Sequence, residues 1–305
     1  MTTQELRCTR FLWTNIDAPT RDDIELLSRA HPEIHALHLE DLLSRTERPK
    51  LDEEDSYIFV VMHFPVWDEV QRISRPGEVE FILGRNYLVT VHDGKLQPLI
   101  RLFTRCQSYE SERNRLFGKG ANDAFYAVVD QLVDYMFPIL RKVDENIHGI
   151  EDNIFDADAR QIIREIALVR RDIIALRRMI RHQVPTVEAL ERTEHVVIRE
   201  ELEQYFGDTV DHLYTARDII DEDYEVIAGL AETADTLVSH RINEVMRVLT
   251  VISVIMLPLT LISGIYGMNI DLPLNEHPGA FIFVTGLMVF VVVIMLVYFR
   301  RRKWI

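Results

Sequence analysis

The chain has 305 residues, enough for a sizeable soluble core, with 49 Asp and Glu against 34 Lys and Arg. The net charge of −15 excludes the basic footprint of non-specific nucleic-acid binding and suits metal cations or basic partners. Cys8 and Cys106 are the only cysteines and show no CxxC spacing, which argues against a disulfide framework or a thiolate metal site.

The N-terminal MTTQELRCTRFLW lacks an apolar run, so no cleavable signal peptide is expected. Between Pro19 and Leu43 the apolar spacing is helical. His35 and His38 lie there, and an i, i+3 pair without further ligands reads as incidental rather than a zinc site. Ser56 to Phe64, Val79 to Leu83 and Tyr87 to His92 are rich in β-branched and aromatic residues and predict strands. Pro65, Arg75-Pro76-Gly77 and Asp93-Gly94 predict turns between them. Residues 1–120 therefore read as a small α/β domain.

From about Asn122 the pattern is helical, and residues 121–185 read as a helical hairpin. One segment reaches about Ile150 and a second runs from about Ala159 to Gln183. In the second, Arg164, Arg171 and Arg178 repeat every seven residues, with Arg170 and Arg177 beside them. This predicts a solvated or salt-bridged face beside acidic neighbours. Pro185 is expected to break the chain before a third helix.

No proline occurs between Pro185 and Pro258, and Leu213, Ile220, Ile227, Leu230, Leu237, Ile242, Met246 and Leu249 keep an apolar stripe. The spacing predicts one helix from about Glu188 to Tyr266, on the order of 110 Å long, with residues 186–247 as a stalk. From Glu200 to Arg247 there are 13 Asp and Glu against 3 Arg, a net of −10. On a solvated stalk most of these carboxylates only face water, but copies arranged about an axis would concentrate cations.

Residues 248–270 (VLTVISVIMLPLTLISGIYGMNI) and 278–299 carry no charge. Either run crosses the roughly 30 Å hydrocarbon layer of a bilayer. The 271–277 loop has no Lys or Arg and holds Asp271 and Glu276, whereas the 300–305 tail reads RRRKWI. Positive charge on the tail places both termini in the cytoplasm and the loop outside. Two helices cannot enclose a pore, so transport requires an oligomer.

Tyr266-Gly267-Met268-Asn269, at the outer end of the first span, resembles the YGMN signature of CorA-type magnesium channels. NEVMRVLTVISVIMLPLTLISGIYGM from Asn243 is similar to that family's stalk-to-pore segment. HPEIHALHLEDLLSRTERPKLDEEDSYIFVVM from His31 is similar to its N-terminal pattern. The resemblance implies an α+β membrane protein: an N-terminal cytoplasmic α/β/α domain, a stalk helix continuous with the first transmembrane helix, a second transmembrane helix, and a homopentamer in the plasma (inner) membrane. It implies passive Mg2+ influx, with Co2+ or Ni2+ as further substrates.

Within that resemblance, Gly267, Met268 and Asn269 form the filter, Asn269 offering a neutral amide oxygen to the waters of hydrated Mg2+. Thr260 adds a second polar ring. Leu257, Leu249 and Met246 form apolar constrictions, Leu257 standing where many members carry Met. Asp208 and Asp68, with Asp211 on the face of Asp208, are the carboxylates through which cytoplasmic Mg2+ bridges subunits and holds the pore shut. The outer loop departs from the common MPEL, leaving Asp271 and Glu276 to attract cations and His277 to bind softer metals. Zn2+ or another transition metal is the alternative cargo, and a non-conducting coiled-coil scaffold the alternative class. An enzyme is not expected, since no nucleophile–base constellation, HExxH or GxxxxGK[ST] loop is present.

Overall fold

The computed structural model describes residues 3–44, 48–117, 120–268 and 279–304. The chain divides into two compact units, Met1–Ala231 and Glu232–Ile305.

The first unit is built on a six-stranded sheet: β1 (Thr3–Arg7), β2 (Leu12–Asp17), β3 (Lys50–Glu54), β4 (Tyr57–Asp68), β5 (Ile73–Gly84) and β6 (Tyr87–His92), in the order β1-β2-β6-β5-β4-β3. Only β2 and β6 pair in parallel. β4, β5 and β6 are almost wholly buried, because helices cover both faces. On one face, Ile24 and Leu27 of α1 (Arg21–Ala30) and Leu42, just after α2 (Ala36–Asp41), cluster with Phe59, Val61, Ile82 and Val91. Thr20 and Asp23 form a capping box that starts α1. His35 caps α2, and His38 bonds the Tyr57 hydroxyl at 2.7 Å, so both histidines have structural tasks.

The predicted strands are present, but two of the predicted turns are not. Pro65 and Pro76 are partners inside a long β4–β5 hairpin. In an antiparallel pair, residues at non-hydrogen-bonded positions point their N–H groups outward, so facing prolines forfeit no ladder bond. Gly77 is required there, since a Cβ would stand 2.5 Å from Val66 Cγ2.

Behind the other face lie α3 (Gln97–Ser108), α4 (Glu110–Phe117), α5 (Ala121–Asp134), α6 (Met136–Asn153) and α7 (Ala159–Arg192). α5 and α6 are separated only by Tyr135, consistent with Pro138 having no N–H for the Asp134 carbonyl. Gln183 of α7 accepts from the His63 N–H at 3.1 Å, and Asp172 accepts from the Ser74 N–H. Burial raises the Asp172 carboxyl, opposed by the bond from the Ser74 N–H. The arginine face of α7 is partly engaged: Arg177 pairs with Asp221, and Arg171 donates to the Gln71 carbonyl.

The expected break at Pro185 is a correction: Pro185 lies inside α7, which continues to Arg192. Its position is exposed, so water can reach the Arg181 carbonyl that it leaves unbonded. The chain turns at 193–199 instead, and after a 3-10 turn (Glu200–Leu202) α8 runs from Glu203 to Tyr266. The long helix therefore begins about fifteen residues later than expected. Its 64 residues give about 96 Å of axis.

An aromatic chain ties α8 to the sheet. Phe81 of β5 meets Phe125 of α5 edge-on at 5.3 Å, and Phe125 meets Phe206 of α8 at 5.9 Å. Phe206 is fully buried. Phe206→Ala is expected to destabilise the first unit by about 3–5 kcal/mol, through lost burial and the cavity left behind. Chemical denaturation of the full chain in detergent, followed by tyrosine and tryptophan fluorescence, would check this.

Candidate functional site

The second unit contains the end of α8 and α9 (Ala280–Arg301). Both helices are long and apolar enough to cross a membrane, and only 6% and 0% of their most apolar stretches are buried. A core helix of a soluble protein would be mostly buried, whereas these faces call for lipid or for other copies of the helix. Arg300 and Arg301 close α9, and Arg302 sits over the Tyr298 ring at 5.9 Å, a charged and aromatic finish suited to an interface.

Along α8, Met246, Leu249, Leu257 and Thr260 fall on one helical face. Ser253 and Gly264 complete the series at spacings of three and four, and sequence reasoning missed both. The signal was the same periodicity, obscured because the whole segment is apolar. Leu257 is 71% exposed and Met246 and Leu249 are also open. Ser253, Leu257, Thr260, Gly264 and Met268 line one groove along the helix.

The polar groups on this face are held by their own helix. Ser253 Oγ donates to the Leu249 carbonyl at 2.9 Å, and Thr260 Oγ1 to the Met256 carbonyl at 2.8 Å. Each hydroxyl thus spends its proton on the backbone and keeps lone pairs for a cation or its waters. Pro258 lies within the helix and leaves the Val254 carbonyl without its usual donor. Past Tyr266, Gly267 N–H bonds Ser263 O at 2.9 Å and Met268 N–H bonds Ile265 O at 3.2 Å, a tightening last turn. A Cβ at Gly267 would stand 3.0 Å from the Ser263 carbonyl. Asn269, Asp271 and Glu276 lie outside the described residues.

The predicted regulatory carboxylates occupy different settings. Asp208 and Asp211 are exposed on α8, three residues apart and on one face. Asp208 Oδ2 is 3.9 Å from His212 Nε2, and His212 Nδ1 is 3.4 Å from Asp134 Oδ1 on α5. Burial, then the Asp134 charge, raises the neighbouring Asp130 carboxyl, with Asp208 adding to the effect. Asp130, Asp134 and His212 escaped the sequence reading because α5 and α8 are distant in the chain.

Asp68 closes β4 and is already engaged. It accepts from the Gln71 N–H at 3.0 Å and from Arg75 Nε at 2.8 Å, and these bonds hold its carboxyl below the usual range. Among the described residues no group of three or more His, Cys, Asp or Glu is arranged to hold a metal ion. Asp208, Asp211 and Asp68 are therefore not gathered into a metal centre by one chain.

An α/β/α head with a long helix that runs on into an apolar span, followed by a second apolar helix, defines a two-span membrane protein with a large soluble domain. A family model described as CorA-like Mg2+ transporter protein matches residues 9–301. The putative metal ion transporter YfjQ of Bacillus subtilis is 30% identical over 296 residues, covering 96% of this chain and 89% of its own. The cobalt/magnesium transport protein CorA of Thermotoga maritima is 29% identical over 296 residues, covering 96% and 83%. The complete structure of the CorA magnesium transporter from Methanocaldococcus jannaschii has the same fold, with a TM-score of 0.86 at 22% identity, covering 98% of this chain and 93% of that one. The chain belongs to the CorA family of metal-ion transporters.

Proposed function

We propose that the protein is a passive channel for divalent cations, Mg2+ foremost, working as a homopentamer with the head and both termini in the cytoplasm and the spans in the inner membrane. The observation that carries this reading is the single uninterrupted helix from Glu203 to Tyr266. It joins a carboxylate-rich segment to an apolar span that ends at Gly267, Met268 and Asn269. Copies of this helix about an axis would enclose a pathway lined by the Met246–Leu249–Leu257–Thr260 face. The relatives named for magnesium and cobalt transport support the choice of cargo.

Each feature of that face has a task. Asn269 selects hydrated Mg2+ through its amide oxygen, with the backbone of Gly267 and Met268 around it, and Thr260 offers a second ring of oxygens. Leu257, Leu249 and Met246 constrict the pathway and exclude water when the helices close. Asp271 and Glu276 raise the cation concentration at the outer mouth. Cytoplasmic Mg2+ bound between subunits at Asp208, Asp211 and Asp68 holds the helices together, and its loss frees them. An inside-negative potential supplies the drive, about 4.6 kcal/mol per 100 mV for a divalent ion.

The test is flux into liposomes carrying the purified protein and a Mg2+-sensitive dye. Mg2+ entry that follows an imposed inside-negative potential, without nucleotide, is the expected result. Entry that is absent or indifferent to potential would refute the passive channel. Repeating the assay with Co2+, Ni2+ and Zn2+ ranks the cargo, and native mass measurement counts the subunits.

A further inference from the structure

Asp223 is a buried carboxylate for which the transport reading has no use. It lies on α8 with 6% of its surface exposed, and its Oδ2 has no hydrogen-bond partner among the described residues. Asp172, a buried acid elsewhere in the head, by contrast meets the Ser74 N–H. The charges facing Asp223 are Asp144 and His148 of α6 and Glu222 of its own helix. His148 is turned back on α6, its Nδ1 3.0 Å from the Asp144 carbonyl and 3.2 Å from Asp144 Oδ1. On α7, the nearby arginines are engaged elsewhere: Arg177 pairs with Asp221 and covers the Tyr224 ring, which Arg170 also approaches.

Burial, then the charges of Asp144 and Glu222, raises the Asp223 carboxyl to about 6, with His148 opposing. At neutral pH the group is therefore an ionised carboxylate with an unpartnered Oδ2, repelled by the Asp144 charge, and in acid it is neutral.

We propose that Asp223 is a proton switch in the stalk: protonated, it allows α8 to pack closely on α6, and ionised, it loosens that contact. The sign follows from linkage. The packed state holds the proton more tightly than the unpacked state. The stabilisation is therefore complete below the ordinary aspartate range and is lost as pH rises through about 6. Because α8 continues to Tyr266, acidification would stiffen the helix that enters the membrane. The switch rests on packing alone and stands or falls independently of transport.

Hydrogen exchange of the full chain in detergent, corrected for intrinsic rates, tests it at the α6 and α8 amides around residues 140–150 and 220–230. Wild-type protection is expected to fall about tenfold between about pH 5 and about pH 8. Asp223→Asn should hold acid-like protection throughout, and Asp144→Asn should move the midpoint to lower pH. A flat wild-type profile, or an Asp223→Asn profile that still follows the wild type, would overturn the proposal. If Asp223→Asn does not fold, the Asp144→Asn midpoint decides, and an unmoved midpoint counts against the switch. Restoration of wild-type protection at pH 8 by millimolar Mg2+ would show that a metal rather than a proton meets the charge, and would also overturn it.

Discussion

Asn269→Ala is expected to cut potential-driven Mg2+ entry by at least about tenfold while leaving the head folded. Mg2+ releases its first-shell waters reluctantly, so a filter works on the hydrated ion through hydrogen bonds to those waters. An amide oxygen accepts such bonds without carrying charge, and an alanine methyl cannot accept them. Asn269→Asp separates recognition from mere polarity. A ring of carboxylates would hold the ion strongly and slow its release, so initial binding should tighten while throughput falls. The measurement is initial dye response in proteoliposomes at matched protein density, with tryptophan fluorescence confirming the fold. Wild-type flux in Asn269→Ala would remove the filter from this position. A scaffold would tolerate the substitution in any case, so the absence of flux in the wild type as well would favour that reading.

Much of the fold was legible because the decisive elements carry strong local signals. The strands Tyr57–Asp68 and Tyr87–His92 are near-continuous apolar runs, and the charge-free runs at the chain's end fit bilayer thickness. What escaped was what local pattern does not encode. Thr3–Arg7 is a polar edge strand, which pairing with Leu12–Asp17 rather than composition makes extended. Pro185 and Pro76 read as breakers, but an exposed helix carbonyl and a non-hydrogen-bonded strand pair accommodate them. The candidate site divides in the same way. Met246, Leu249, Leu257 and Thr260 share a face by helical period alone, whereas the closeness of Asp134 to His212 depends on packing between distant helices.

The second large effect concerns regulation. The two carboxylates proposed to share Mg2+ between subunits are not equivalent. Asp208 has a side chain 67% exposed, and its Oδ2 lies 3.9 Å from His212 Nε2. Asp68 is held by the Arg75 guanidinium and the Gln71 N–H, so a cation there must compete with bonds already made. Asp208→Ala is therefore expected to raise the Mg2+ concentration that half-inhibits flux by about tenfold, equivalent to about 1.4 kcal/mol of binding. Asp68→Ala should shift it less. Arg75→Ala, which frees the Asp68 carboxylate, should shift it the other way and make inhibition set in at lower Mg2+. The measurement is flux against Mg2+ applied on the head side, with outer Mg2+ fixed. Half-inhibition at the wild-type concentration in Asp208→Ala would exclude that residue from the regulatory site. An unchanged Arg75→Ala curve beside a shifted Asp208→Ala curve would assign regulation to the α5–α8 carboxylates Asp130, Asp134 and Asp208 without help from β4. That pattern would make the acidic groups where α5 meets α8 sufficient to sense the ion, with the closed state held wherever their charges are neutralised.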